Sequence, residues 1–199
     1  MNLFLLDLVL EKNASAMCNK HVVKMILETA QVLWCAWHLH QPEEILRLIE
    51  QKFEVKPYKK THMHHPVSIW IRENAKHYEY AVRYGLLLCL EYTRRYNKVH
   101  KTQAHLELLF HLGFPAQVQD VPKPKNAKPI TKAYVDIPGD FDYFPMCFDE
   151  EYVVRDAGGN VLGVSSYRKY YVSKQDKFKM VWPKGIEPNW FERKNNLMA

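Results

Sequence analysis

The fold turns on one stretch, Cys18-Asn-Lys-His-Val-Val-Lys-Met-Ile-Leu-Glu-Thr-Ala-Gln31, set inside residues 13–38. Val22, Val23, Ile26, Ala30, Leu33 and Trp37 recur at helical spacing and Asn13 is available as an N-cap, so residues 13–38 are expected to form one helix with an inward apolar face. On the same helix His21, Lys24, Glu28 and Gln31 are separated by three, four and three residues. At ~100° per residue they fall within an arc of about 80°, opposite the apolar stripe.

Working outward, residues 3–6 look strand-like, and residues 41–53 form a short helix introduced by Pro42. Lys56-Pro-Tyr-Lys-Lys-Thr-His-Met-His-His-Pro66 is a polar, basic loop. Pro66 suits the first turn of a long helix over 66–96, with Val67, Ile71, Tyr78, Val82, Leu86, Cys89 and Leu90 facing inward. A further helix over 101–112 stops at Gly113-Phe-Pro115. Between Pro115 and Pro145 six prolines and four lysines argue for a long surface loop without regular elements. Asp156-Ala-Gly-Gly-Asn160 is a turn signal for a small hairpin between 151–155 and 161–164, ahead of a last basic helix over 165–181 and an extended aromatic tail. The expected architecture is mainly α: a helical catalytic core over 1–115, a proline-rich wrapping loop over 116–148, and a small C-terminal hairpin-and-helix appendage over 149–199 packed on the same core.

At 199 residues the chain suits one hydrophobic core, and 47% hydrophobic with 13% aromatic residues is too apolar for a disordered chain. The longest apolar runs, such as 85–90, fall far short of the ~20 residues a membrane span needs. The N-terminus lacks a basic n-region and reaches an acid at Asp7, so no signal peptide is read and a soluble, cytoplasmic protein without membrane contact is expected. Cys18, Cys35, Cys89 and Cys147 stand singly, as buried thiols rather than a disulfide framework. The net charge of +6 and pI near 9.0 suit a polyanionic partner without requiring one.

Two constellations could carry chemistry. The polar stripe on the first helix is either a solvated face or places Glu28 in a cleft as an acid/base or cation-stabilising group, with His21 and Lys24 setting its environment. The second is Thr61-His62-Met-His64-His65 with Lys56, Lys59 and Lys60. It lacks the carboxylate or cysteine partner at a known spacing that a metal site calls for, and reads instead as a phosphate contact beside the N-terminus of the following helix. Cations interleave with aromatics at Trp70 and Arg72, at Tyr92, Arg94 and Arg95, and at Tyr167, Arg168, Lys169, Tyr170 and Tyr171. That pattern suits base stacking and phosphate pairing, or ordinary amphipathic packing.

In order and spacing these residues resemble the pyrimidine-dimer DNA glycosylase/AP lyase family. The resemblance rests on Met-Asn-Leu at the start, Cys18-Asn-Lys-His21 followed by Glu28, and His65-Pro-Val67 opening a long helix. It continues through Gly113-Phe114, Val118-Gln-Asp120, Ile137-Pro, Phe141, Tyr167-Arg168 and Pro188-Asn-Trp-Phe191, and Lys20 to Gln31 is similar to viral and phage members. The resemblance implies that the chain's N-terminal amine attacks the sugar C1′, expels the base and leaves a Schiff base, assisted by a glutamate that falls on Glu28. The chain departs from the pattern at Asn2, a poor second residue for methionine removal, so that Met1 itself offers the amine or Lys20 or Lys24 replaces it. It departs again at Leu3 or Phe4 and at Leu27, where the family carries basic residues.

The reading is therefore a monomeric enzyme cleaving the glycosidic bond of a damaged or modified pyrimidine in duplex DNA, without a cofactor or metal. Glu28, Met1, His21 and Lys24 are its catalytic candidates. Lys20, Lys56, Lys60, Thr61, His62, His65, Trp70, Arg72, Arg95, Tyr167 and Arg168 are its DNA-binding candidates. The alternatives are a metal-dependent nuclease or hydrolase built on His62, His64 and His65, an enzyme of modified nucleotides, and a non-catalytic nucleic-acid-binding viral protein.

Overall fold

The apolar stripe of the first long helix does organise the protein. The computed structural model describes residues 2–117 and 130–194, and among these seven α-helices and one two-stranded sheet surround a single core. The expected helix over 13–38 is two: α1 (Leu10–Ala16) and α2 (Asn19–His40). Met17 and Cys18 between them are extended, at φ −74°, ψ 141° and φ −66°, ψ 159°. Side chains from distant elements hold the break open. The Tyr171 hydroxyl accepts from the Cys18 N–H at 2.9 Å, and the Arg95 guanidinium donates to the carbonyls of Met17 and Ser15 and to Asn19 Oδ1 at 2.8, 2.9 and 2.9 Å. Asn13, expected to cap, lies buried inside α1. It accepts from the Leu6 N–H and donates to the Phe4 carbonyl, so residues 3–6 are fixed by side chains and are not a strand.

After α3 (Glu43–Phe53), the expected helix over 66–96 is also two, α4 (Pro66–Glu73) and α5 (Ala75–Tyr96). Asn74 adopts an extended backbone and its side chain accepts from the His77 N–H at 3.0 Å, capping α5 and turning the chain. α5 runs along α2 and also meets α1, α4 and α6 (Gln103–Leu112). Gly85 permits this approach: a Cβ there would sit 2.8 Å from Leu106 Cδ2 and 3.2 Å from Thr29 Cγ2.

Two strands lie where only an irregular loop is expected. β1 (Thr131–Ala133) and β2 (Phe144–Met146) pair antiparallel with Lys132 opposite Pro145, and Ala133, Phe144 and Met146 are buried. Burial of these apolar side chains overrides the proline, which a two-stranded edge tolerates. The expected hairpin around residues 156–160 shrinks to one bridge, Arg155 to Val161, because α7 (Gly163–Val172) begins directly after it. α7 is shorter than the expected 165–181 and passes into a 3₁₀ turn (Ser173–Asp176). Trp34, Trp70, Tyr78, Tyr84, Tyr167, Tyr171 and Phe144 fill the centre. The C-terminal stretch returns to the α1–α2 break, where Trp182 Nε1 donates to the Ala16 carbonyl and the Asn19 N–H donates to the Val181 carbonyl. All four cysteines are free, Cys147 half-buried and the others buried. Among the described residues no helix is long and apolar enough to cross a membrane.

Candidate active-site cleft

Where α2, the end of α7 and the turn after it converge, they leave a cleft of about 280 Å³. The outward side of α2 supplies Lys20, His21, Lys24 and Glu28. The C-terminal segment supplies Tyr170, Lys174, Lys177 and Phe178, and Asn2 and Phe4 close the end. The Glu28 side chain retains 15% exposure and pairs with Lys24 Nζ at 3.2 Å, one turn earlier, where Lys24 is 58% exposed. The carboxylate thus sits low in the cleft and the lysine at its lip.

His21 is buried, and its Nδ1 lies 2.8 Å from the Tyr171 hydroxyl. The same hydroxyl accepts from the Cys18 N–H, so one buried oxygen ties His21 to the start of α2. Burial, reinforced by Lys174, Lys24 and Lys20, lowers the His21 pKa to about 3, and the ring stays neutral between Phe4 at 4.8 Å and Phe178 at 5.2 Å. Lys20 Nζ lies 4.4 Å from the Phe178 ring centroid, and Lys174 Nζ 3.6 Å from that of Tyr170. Burial, with Lys177 and Lys24 nearby, lowers the Lys174 pKa to about 8. Tyr167, fully buried, places its hydroxyl 2.9 Å from Asn2 Oδ1 and 2.8 Å from the Pro145 carbonyl, holding Asn2 against the cleft. Met1 lies outside the described residues.

His65 caps α4, its Nδ1 accepting from the Val67 N–H at 3.3 Å, which leaves the ring proton on Nε2. Burial lowers its pKa to about 4, against the opposing pull of the Glu28 carboxylate, so the capping histidine lies within reach of the field of Glu28. His62 and His64, in the rest of the histidine loop, are exposed. His62 Nδ1 is engaged by Thr61 Oγ1 at 2.6 Å. Among the described residues no group of three His, Cys, Asp or Glu side chains is arranged to hold a metal ion. Lys56 and Lys59 join Lys101 in a second groove of about 500 Å³, floored by Tyr58 stacked on His105 at 4.1 Å, while Lys60 is exposed outside it.

The structure turns several DNA-binding candidates inward. Trp70 is fully buried, stacked on His77 at 4.0 Å and donating to the Tyr143 carbonyl. Arg72 clips the histidine loop to α4 through the Met63 carbonyl at 2.6 Å, and burial lowers its pKa. The Arg95 side chain is 1% exposed and spends its donors at the α1–α2 break and on Glu91. Tyr167 supports Asn2 from within the core. Arg168 donates to the Leu6 carbonyl, pairs with Asp7 at 3.4 Å and lies over Trp190, keeping one edge in solvent. Trp70, Arg95 and Tyr167 are thus engaged inside the fold, while Arg168 is partly open to solvent. Lys174, Lys177 and Phe178 were missed because the basic run after α7 reads as a continued helix, whose lysines would face several directions.

The helical fold thus sets one mostly buried carboxylate, Glu28, beneath a rim of lysines in a single cleft. The family model described as pyrimidine dimer DNA glycosylase matches residues 1–104, just over half of the chain. The chain belongs to the pyrimidine dimer DNA glycosylase family. No curated protein and no solved structure matches it.

Proposed function

We propose that the protein releases a damaged or modified pyrimidine from duplex DNA by cleaving its N-glycosidic bond, with Glu28 assisting at C1′. The position of Glu28 carries this reading: a carboxylate low in a cleft whose rim is cationic and whose walls are aromatic. As the C1′–N bond breaks, its electron pair leaves with the base and positive charge develops on C1′ and the ring oxygen. A fixed carboxylate in a partly desolvated site stabilises that charge more than it stabilises the neutral sugar. His21, neutral and locked between Tyr171 and two rings, positions the first turn of α2 and takes no proton itself.

The lyase branch follows the same geometry. A neutral amine attacks C1′ and gives up a proton as the base departs. Opening of the sugar ring then breaks C1′–O4′, protonates the oxygen and leaves a C1′=N Schiff base. The amine best supported is that of the chain's N-terminus, because Asn2 lines the cleft and is fixed there by Tyr167. Lys24 is mostly exposed and already ion-paired with Glu28, which engages its ammonium away from an incoming C1′.

Glu28→Gln tests the reading on an oligonucleotide carrying one cyclobutane pyrimidine dimer. Glycosidic-bond cleavage, read as free base after photoreversal of the dimer, whose cyclobutane bonds otherwise hold the base to its neighbour, is expected to fall about 10²-fold or more while DNA affinity stays within roughly threefold. Activity within a few-fold of the parent protein would remove Glu28 from the reaction. Borohydride trapping on abasic DNA followed by peptide mapping identifies the attacking amine.

A further inference from the structure

In the Glu28 cleft four lysines face a single carboxylate, and that carboxylate is already paired with one of them. Among the described residues no carboxylate forms an ion pair with Lys20, Lys174 or Lys177; Asp176, the nearest acid in sequence, is taken by Lys194 at 2.6 Å. Lys20 and Lys174 are instead steadied over the rings of Phe178 and Tyr170. Cations converging from two segments in a partly buried site repel one another, at a cost that a bound anion removes.

We propose that Lys20, Lys24, Lys174 and Lys177 form one subsite for a single phosphodiester flanking the target nucleotide, with Tyr170 and Phe178 as its rigid walls. The inference rests on the glycosylase reading for the identity of the anion, while the subsite itself rests on the lysines. A phosphate seated there would present the adjoining sugar to Glu28. The groups facing Lys174 are Lys20, His21, Lys24 and Glu28 from α2, Tyr170 from α7 and Lys177 from the following turn. Burial and the neighbouring lysines depress the Lys174 pKa toward 8, and a bound phosphate dianion or diester opposes that depression. Anion binding at this subsite is therefore expected to take up a proton and to weaken as pH rises through about 8, well below the range of an ordinary lysine.

Two arms test this. In the full chain, side-chain NMR signals of the lysine ammonium groups are followed against inorganic phosphate, with chloride at equal ionic strength as reference. Signals of Lys174 and Lys177 are expected to move together, and Lys174→Met or Lys177→Met to weaken phosphate binding roughly tenfold. Lys169→Met, on an exposed side chain outside the cleft, is expected to leave binding unchanged. In the second arm, Lys174→Met is measured on duplexes in which one phosphate at a time is a neutral methylphosphonate. At one position next to the target the penalty of the substitution should vanish, and the double variant with Lys177→Met should lower the log–log salt slope by about 0.9, the value for one phosphate. Lys174→Gln and a thermal midpoint guard against misfolding, and the wild-type phosphate titration does not depend on any variant. Lysine signals unmoved by phosphate, or a penalty that survives every methylphosphonate, would overturn the subsite. Phosphate binding in a protein that releases no base from any modified DNA would sink the glycosylase reading and leave the subsite standing.

Discussion

Arg95→Met separates a structural arginine from a DNA-binding one. In the folded protein this guanidinium reaches Glu91 at 2.5 Å, the carbonyls of Ser15 and Met17, and Asn19 Oδ1, with 1% of the side chain exposed. Methionine fills much of the volume but leaves three acceptors without donors and removes one partner of the buried Glu91. Breaking a buried pair from one side costs about 3–5 kcal/mol. Arg94 keeps its two bonds to Glu91, at 2.8 and 2.6 Å, so the lower end of that range, ~3 kcal/mol, is expected. With a urea m-value of about 2 kcal/mol/M, the unfolding midpoint should fall by ~1.5 M. Arg95→Lys, which keeps the charge but not the fork, should lose about half as much. DNA affinity per folded molecule and its salt slope should be unchanged. A stability loss under ~1 kcal/mol together with a slope reduced by about 0.9 would refute the structural assignment and return Arg95 to the DNA interface.

Other consequences are equally open to measurement. The folded-state pKa of His21 is depressed to about 3, and that of His65 to about 4, from an ordinary 6.5. The unfolded chain therefore binds these protons first, and stability is full above pH 6.5 and falls as pH drops below it. For His21 the loss is ~1.4 kcal/mol per pH unit, visible as a thermal midpoint that declines between pH 7 and 4 and declines less steeply in His21→Phe; identical slopes would exclude His21 as the source. At Gly163 an added Cβ would stand 2.6 Å from both the Asp136 carbonyl oxygen and Ile137 Cγ2. Gly163→Ala should cost about 2–3 kcal/mol in denaturant unfolding, and a neutral result would mean the 135–137 segment yields freely.

The periodicity of residues 13–38 and 66–96 marked the helices correctly and their breaks not at all. Both breaks are made by partners remote in sequence or by a cap whose choice needs tertiary context: Arg95 and Tyr171 hold Met17 and Cys18 extended, and Asn74 turns the chain for α5. The strands β1 and β2 were hidden by proline and lysine, because three-residue strands owe their existence to the burial of Ala133, Phe144 and Met146 rather than to local propensity. At the site, helical spacing was enough to align Lys24 with Glu28. It could not say that His21, on the same arc, is buried, since that depends on Tyr171 arriving 150 residues later. Interleaved cations and aromatics such as Trp70, Arg95 and Tyr167 are ambiguous in any sequence, and here long-range hydrogen bonds drew them inward.

The joint at Met17 and Cys18 has a temporal meaning. Its fasteners are Arg95, then Tyr171, then Val181 and Trp182, so they leave the ribosome long after the helix they orient. Through most of its synthesis the chain can own α2 and its glutamate yet lack the wall that makes them a cleft. The segment 1–104 that carries the family match is in that position, with Glu28 present and Lys174, Lys177 and Phe178 still to come. Closure over so long a span slows the contacts that complete the cleft relative to those within α2. A nascent chain therefore lacks the Lys174, Lys177 and Phe178 side of the cleft until the final segment docks.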